Sequence, residues 1–525
     1  MSSTHPSRVV PSPLAASRVA VVGGGISGLV AAYRLRTLLG PAAEILLIEG
    51  SRRLGGALRT VELGGVALDV GAEAFLIRRP EAVGLVEELG LAGQLRHPTP
   101  AAPTVRAAGR TLPLPTRTVL GLPGAATDVA GLLSAQGAAR VAAEPTMPLR
   151  WEPGQDAAVG LLLRERVGDE LVDRLVDPLL GGVYAGRADA LGLRATLPTV
   201  ATALDRGAGS LLAAASAVLP PGLLPGGGPS PVFGTLRGGL SVLVHALMVA
   251  AAVRPRLGLP VRGLARTPDG WRLELGSARQ AEHIDADAVL LAVPAPALRR
   301  LLADPLPVAS VAAGRVEVAS CAVVGLALPL AATQALPEAS GVLVASPEPL
   351  SGPPSEPLSE PRREPRREPL SESLSVKAFT FSGRKWAHAR SEQVLLVRAS
   401  LGRHREARVL QRDDTELLDV VRADLATLTG ITAMPVEAVV ARWGGGLPQY
   451  APGHLDVVAA LERDVAGSAG LAVAGATLHG IGLPACIATA DAAAYRIAEY
   501  LTGRNAPAAA RGGTMGLWPT WTTLR

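Results

Sequence analysis

The sequence predicts an α/β fold: a parallel, Rossmann-like sheet gathered from separate parts of the chain, a helical segment inserted into it, and a second unit built on a mixed sheet. Three observations lead there. From Arg18 to Glu49 run an apolar strand, a tight glycine turn, a helix and a second apolar strand closed by an acid. Between about Leu91 and Leu224, proline-punctuated turns give way to helical spacing. Beyond about Pro305, strand-like stretches return at Ser320 to Leu328, Val376 to Phe381 and Val394 to Ser400, before a helix at Asp414 to Thr427.

At 525 residues, the chain is long enough for two or three domains. With 48% hydrophobic and 18% charged residues it is globular in composition, neither fibrous nor disordered. The net charge of +5 comes almost wholly from dispersed arginines, and the only lysines are Lys377 and Lys385. Aromatic residues are 3% of the chain, so the basic stripe with interleaved aromatics that a nucleic-acid partner needs is missing. Cys321 and Cys486 lie far apart in apolar settings, which implies neither a disulfide framework nor a metal site and fits a cytoplasmic location. Residues 1–17 lack the apolar core of a signal peptide and read as a disordered leader. The apolar, uncharged run Gly238 to Val253 is too short to span a bilayer. No transmembrane segment is therefore expected, and peripheral membrane contact is left open.

The first turn is Gly23-Gly24-Gly25-Ile26-Ser27-Gly28, a G-x-G-x-x-G. Gly23 permits the tight turn, Gly25 lets the backbone approach a pyrophosphate, and Gly28 lets the helix lie close on the strand. In a chain with 59 glycines the spacing alone is weak. What decides it is the strand before it and Glu49-Gly50 after it, where a carboxylate about twenty residues on receives ribose hydroxyls. The unit is read as dinucleotide-binding. Arg53 with Gly55, Gly56 and Ala57 follows, either a pyrophosphate contact or a solvated basic turn. Val66 to Phe75 then gives a strand and the turn Gly71-Ala72-Glu73-Ala74.

In the middle of the chain, apolar spacing predicts a helix over Ala158 to Val176. Asp177-Pro178 and three glycines, running to Gly186, are expected to break it, as a packing turn or as part of a site. Phe233 to Leu240 leads into a helix through Leu247. Strands follow at Pro260 to Leu264, Trp271 to Leu275 and Asp287 to Val293. Residues 347–375, in which Pro-Arg-Arg-Glu occurs twice, read as a disordered insertion. The strand Leu471 to Ala474 passes through His479-Gly480-Ile481-Gly482-Leu483 into a last helix from Ala485 to Leu501. His479 is either a candidate acid or base or a solvent-facing side chain. No nucleophile–base pair, metal cluster or paired acid site stands out.

Taken in order, G-x-G-x-x-G, E-x-x-x-R-x-G-G and D-x-G-A resemble the FAD-dependent amine-oxidase and porphyrinogen-oxidase superfamily. Asp177 to Gly186, Val376 to Trp386 and Leu447-Pro448-Gln449-Tyr450 are similar to the protoporphyrinogen and coproporphyrinogen oxidases within it. The resemblance spans roughly Arg18 to Leu501. It implies bound FAD extended along Gly23 to Gly28, Glu49 to Ala57 and Gly71 to Ala74. It also implies a backbone contact from Val261 at the adenine end, with Trp443 and Ile481-Gly482-Leu483 near the flavin ring. Ala490 departs from the glycine usual at the last helix's start. The implied organisation is a discontinuous FAD-binding domain (18–90, 230–304 and 465–503), a helical domain (91–229), a substrate domain (305–464) and a tail (504–525).

The resemblance further implies that a porphyrinogen gives up hydride to the flavin, which passes the electrons to O2. Arg78 and Arg79 are candidates for the substrate's propionates, with a solvated turn as the alternative, and Gly182 and Tyr184 are further candidate contacts. An acid at Glu73, where eukaryotic protoporphyrinogen oxidases carry arginine, resembles the soluble bacterial enzymes. Coproporphyrinogen III is thus expected before protoporphyrinogen IX, with transient contact to the next heme-pathway enzyme. Another flavin amine oxidase, a desaturase, or a non-catalytic binding protein of this fold are the competing expectations.

Overall fold

The computed structural model describes residues 17–219, 231–277, 279–346 and 373–505. Most of the expected leader, insertion and tail lies outside these residues. The chain enters through β1 (Arg18–Val22), α1 (Ile26–Leu39) and β2 (Glu44–Ile48). Val19, Ala20 and Val21 are fully buried, as suits a central parallel strand covered on both faces. Later come α2 (Asp177–Tyr184), β3 (Ala288–Leu291), β4 (Val318–Pro329), β5 (Val376–Phe381) and β6 (Val394–Leu401). The last are β7 (Glu437–Pro448), β8 (Leu471–Val473) and α3 (Leu483–Asn505).

The first sheet has the order β2-β1-β3-β8, all parallel. On one face α1 and α3 pack around Leu29, Leu35, Ile487 and Ile497. The other face is covered by an antiparallel sheet of Val261–Arg266, Trp271–Ser277 and Gln280–Ala286, and by helices at Ala295–Leu302, Pro307–Gly314 and His454–Ala466. The last two helices lie in the 305–464 stretch that chain order assigns to the second unit. Their apolar stripes meet the first sheet's core instead, a contact between distant segments that local periodicity does not encode.

The second sheet has seven strands in the order β7-β4-β6-β5, Gly341–Val344, Pro103–Ala107 and Arg110–Pro113. Residues 103–113 therefore belong to this sheet and not to the helical segment. Their prolines suggest turns, yet the edge of a sheet tolerates proline because one side of the strand needs no partner. One face of the sheet carries the helix Asp414–Thr429, whose Val421 packs with Phe379 and Val397. The Asp413–Glu416 capping box starts that helix. The other face packs Val323, Ala327 and Leu396 against Leu63, Leu68 and Val70. Two bulges interrupt the pairing, one between Ala319 and Cys321 in β4, the other between Val376 and Ala378 in β5.

The helical segment departs from expectation at two points. The helix Val159–Val167 stops at Gly168, whose φ is +87°, and a new turn starts at Asp169. A π-helical turn at Val172–Val176 then runs into α2. Asp177-Pro178 does not break the helix, because the π-helical turn just before it widens the coil where proline has no N–H to donate. The helix ends at Ala185, in the left-handed conformation. Phe233–Leu236 forms a short strand, and the helix after it covers Ser241–Ala251. Among the described residues, no helix is long and apolar enough to cross a membrane.

Candidate functional site

β1 reaches α1 through Gly23, whose φ is +108°. A β-carbon on Gly28 would stand 1.7 Å from the Gly23 carbonyl oxygen, so helix and turn meet backbone to backbone. No side chain caps α1. The N–H groups of Ile26, Ser27 and Gly28 in its first turn lie at the positive end of the helix dipole, an arrangement suited to phosphate. Glu49 accepts the Gly24 N–H at 2.7 Å on one oxygen and the Ser51 N–H at 2.7 Å on the other. Each oxygen keeps a lone pair for a further donor. The Glu49 carbonyl accepts the Leu259 N–H at 3.1 Å, and Gly50 lies against Pro260, which brings buried Val261 to the same corner.

The second turn is joined to the first. The Gly55 N–H donates to the Gly24 carbonyl at 2.8 Å, bringing Gly55, Gly56 and Ala57 alongside Gly25. The third turn joins the second, with the Ala72 N–H donating to the Ala57 carbonyl at 2.9 Å. Trp443 of β7 donates its indole N–H to the Val70 carbonyl at 2.9 Å and faces the Arg53 guanidinium at 5.4 Å. Burial and neighbouring Arg59 push Arg53 below its ordinary pKa, against the pull of Glu49. Among the described residues, neither Arg53 nor Arg59 has an ion-pair partner.

Glu73 takes an N–H from Trp386 at 2.9 Å and pairs with Lys385 at 2.7 Å. Burial alone would raise this carboxyl, but Lys385, Arg398 and the two hydrogen bonds hold it below the usual glutamate value. Glu73 therefore ties the third turn, with Ala74, to the end of β5. Local patterning did not single out Lys385, Trp386 or Arg398. The signals available were that both lysines of the chain fall in the stretch beginning at Val376, and that this stretch, through Trp386, carries the resemblance to porphyrinogen oxidases.

The last turn closes the site from the other end of the chain. Ser27 in α1 donates to the Cys486 carbonyl in α3 at 3.1 Å, so the N-termini of both helices converge. Tyr450 donates to the Ala476 carbonyl at 2.5 Å and stacks on His454 with centroids 4.0 Å apart. Leu483 is buried and Gly482 exposed, while Ile481 packs against the core of the helical segment together with Leu179 and Leu343. Ala490 is fully buried in the core that α1 and α3 share. His479 is an exposed side chain 2.7 Å from Glu462.

The sequence profile described as flavin containing amine oxidoreductase matches residues 26–498. The chain belongs to this family. A protein of Mycobacterium tuberculosis (strain ATCC 25618 / H37Rv) named coproporphyrinogen III oxidase is 43% identical, over 93% of this chain and 98% of that one. A Bos taurus protein named protoporphyrinogen oxidase is 27% identical, over 91% and 98%. A crystal structure of an Exiguobacterium sp. 255-15 protein superposes with a TM-score of 0.75 at 29% identity, covering 92% of this chain and 99% of that one.

This flavin-containing amine oxidoreductase is an FAD-dependent enzyme, and its turns suit the cofactor. An uncapped helix N-terminus matches a pyrophosphate, with the charges of Arg59 and of Arg53, whose guanidinium also donates to the Leu54, Leu58 and Gly56 carbonyls, and a carboxylate with free lone pairs matches a ribose diol. The Asp177 to Gly186 string lies beside the last turn, since Tyr184 and Ile481 belong to one packed cluster. Asp177 is buried, accepting the Ala188 N–H at 2.8 Å and Arg187 at 2.9 Å, with Arg403 at 3.6 Å. A β-carbon on Gly181 would lie 2.1 Å from the Arg403 guanidinium, so glycine there admits the cation.

The candidate substrate residues separate. Arg78 is exposed, without an ion-pair partner among the described residues. Arg79 pairs with Glu81 at the start of the next helix. Gly182 is exposed, whereas Tyr184 is buried against Tyr450 with ring centroids 5.7 Å apart, and burial pushes its hydroxyl up to about 12. Tyr184 thus packs inside the helical segment against Tyr450.

Proposed function

We propose that this enzyme oxidises coproporphyrinogen III to coproporphyrin III in heme biosynthesis, removing six electrons and turning three O2 into three hydrogen peroxide. The observation that carries this reading is the 43% identity, over nearly the full length of both chains, to the M. tuberculosis protein named coproporphyrinogen III oxidase. When bound, FAD supplies a two-electron acceptor for hydride from the substrate's methylene carbons. The polypeptide's share is binding and orientation. The first turn of α1, with Arg53 and Arg59, holds the phosphates. Glu49 holds the ribose, and Glu73, fixed by Lys385 and Trp386, sets the third turn against the second sheet. Electron-rich pyrroles stabilise the cation left by hydride loss, so no strong protein base is required. The likeness to the bovine protoporphyrinogen oxidase supports protoporphyrinogen IX as the second reading.

Anaerobic titration of the purified flavoprotein tests both. Coproporphyrinogen III should bleach the flavin faster than protoporphyrinogen IX, an amine should not bleach it, and admitting O2 should restore the colour with release of hydrogen peroxide. Faster bleaching by protoporphyrinogen IX reverses the preference, and bleaching by an amine alone removes the porphyrinogen reading. Arg78→Ala should raise KM for coproporphyrinogen III by roughly three- to tenfold, the scale of an exposed charge pair near 1 kcal/mol. An unchanged KM takes Arg78 out of the site.

A further inference from the structure

Three cations on and beside the second sheet are short of counter-charge: among the described residues Lys377 and Arg398 make no ion pair, and Arg403 shares Asp177 with Arg187. Lys377 is 4% exposed, and among the described residues it makes no ion pair or side-chain hydrogen bond. Arg398 donates one guanidinium N–H to the Gly71 carbonyl at 2.5 Å, while its Nε is buried without a partner among the described residues. Arg403 buries an Nη1 that makes no hydrogen bond there; its nearest acid, Asp177 at 3.6 Å, is already held by Arg187. Leaving cations unpaired in a protein interior is costly unless a ligand brings the opposite charge.

Their placement says which ligand. Arg398 touches Gly71 in the third cofactor turn, and Arg403 lies on Gly181 of α2, so the set spans from the flavin side to the string beside the last turn. Lys377 is the extra residue where β5 bulges against β6, between the pairs Val376 with Leu401 and Ala378 with Ser400. Such a bulge re-aims a side chain out of the regular alternation. Lys377 and Arg403 line a cavity of about 170 Å³ with Ser346, Ser375 and Glu406. Glu406 is engaged by Arg187 at 2.7 and 2.9 Å, which leaves the cavity's remaining charge positive.

We infer that Lys377, with Arg398 and Arg403 beside it, receives a propionate carboxylate of the tetrapyrrole substrate. This rests on the proposed function. It gives the enzyme a buried means of counting carboxylates, beyond what an exposed arginine at the rim provides.

Titrating the holoenzyme with coproporphyrin III and with its uncharged tetramethyl ester tests the assignment. Lys377→Met should weaken coproporphyrin III by about tenfold or more and leave the ester nearly unchanged, whereas Lys377→Arg should stay within about threefold, as for a charge-assisted contact. Burial, opposed by Cys321 and reinforced by Arg403 and Arg398, lowers Lys377 to about 8. Wild-type affinity should therefore fall as pH rises past about 8, where the ammonium loses its proton. The other groups near Lys377 are Cys321 of β4, whose thiol is raised by burial, the two arginines, Glu406 in the shared cavity and, on the far side of Arg403, Asp177 of α2. That alkaline limb should vanish in Lys377→Arg, because a guanidinium does not titrate there. Unchanged coproporphyrin III binding in flavin-replete Lys377→Met overturns the inference. If Lys377→Met does not retain flavin, the arginine variant decides: a persisting limb overturns the assignment and its loss supports it. Wild-type enzyme that binds neither porphyrin defeats the proposed function itself.

Discussion

Gly28→Ala should purify without its flavin. The added carbon would lie 1.7 Å from the Gly23 carbonyl oxygen, and the obstacle is backbone on both sides. No rotamer relieves such a clash, so α1 must lift away from β1 and carry its first-turn N–H groups off the phosphates. Val21 and Leu29 hold strand and helix in the same fully buried core, which resists the shift. We expect FAD affinity to fall by at least about a hundredfold, roughly 3 kcal/mol, while the second sheet keeps its structure. The visible flavin absorbance per polypeptide measures this. Flavin content equal to wild type would mean that the turn does not hold the cofactor.

Asp177→Ala should be the most destabilising single change in the helical segment. The wild-type carboxylate holds the Ala188 N–H and Arg187 and is the nearest acid to Arg403. Its removal strands two guanidiniums and one buried N–H. Breaking a buried ion pair from one side costs about 3–5 kcal/mol, because the abandoned charge remains inside. Asp177→Asn keeps an acceptor for Ala188 but not the charge, and should fall between the two. Denaturant midpoints at constant m-value give the comparison. A shift under about 0.5 kcal/mol for the alanine variant would show that solvent reaches Arg187 and Arg403 freely.

The glycine turns were legible because their signals are local. Gly23 to Gly28 and Glu49 sit in one βαβ unit, and the hydrogen bond from Gly24 to Glu49 closes it within a short stretch of chain. Strand positions such as Val376–Phe381 were legible for the same reason. What escaped were partnerships across the chain. Lys385 and Trp386 reach Glu73 from 312 and 313 residues away, and Tyr450 braces a turn built after β8. Pro103–Ala107 looked like loop because its sheet neighbour, Gly341–Val344, lies beyond two other segments. The helical string at Asp177 was noticed for its glycines, but the reason for Gly181 is Arg403, which no spacing rule connects to it.

The meeting of Ser27 with Cys486 sets an order of events during synthesis. β1, α1 and β2 are made long before β8, which completes their sheet, and the turn that leads into α3 follows it. Until the final helix is released, the nascent chain carries a phosphate cradle with no far wall and an unpaired edge on β3. The turns can therefore be fully enclosed only after the last strand and helix are made, and a chain cut short before Leu471 is expected to expose the edge of β3.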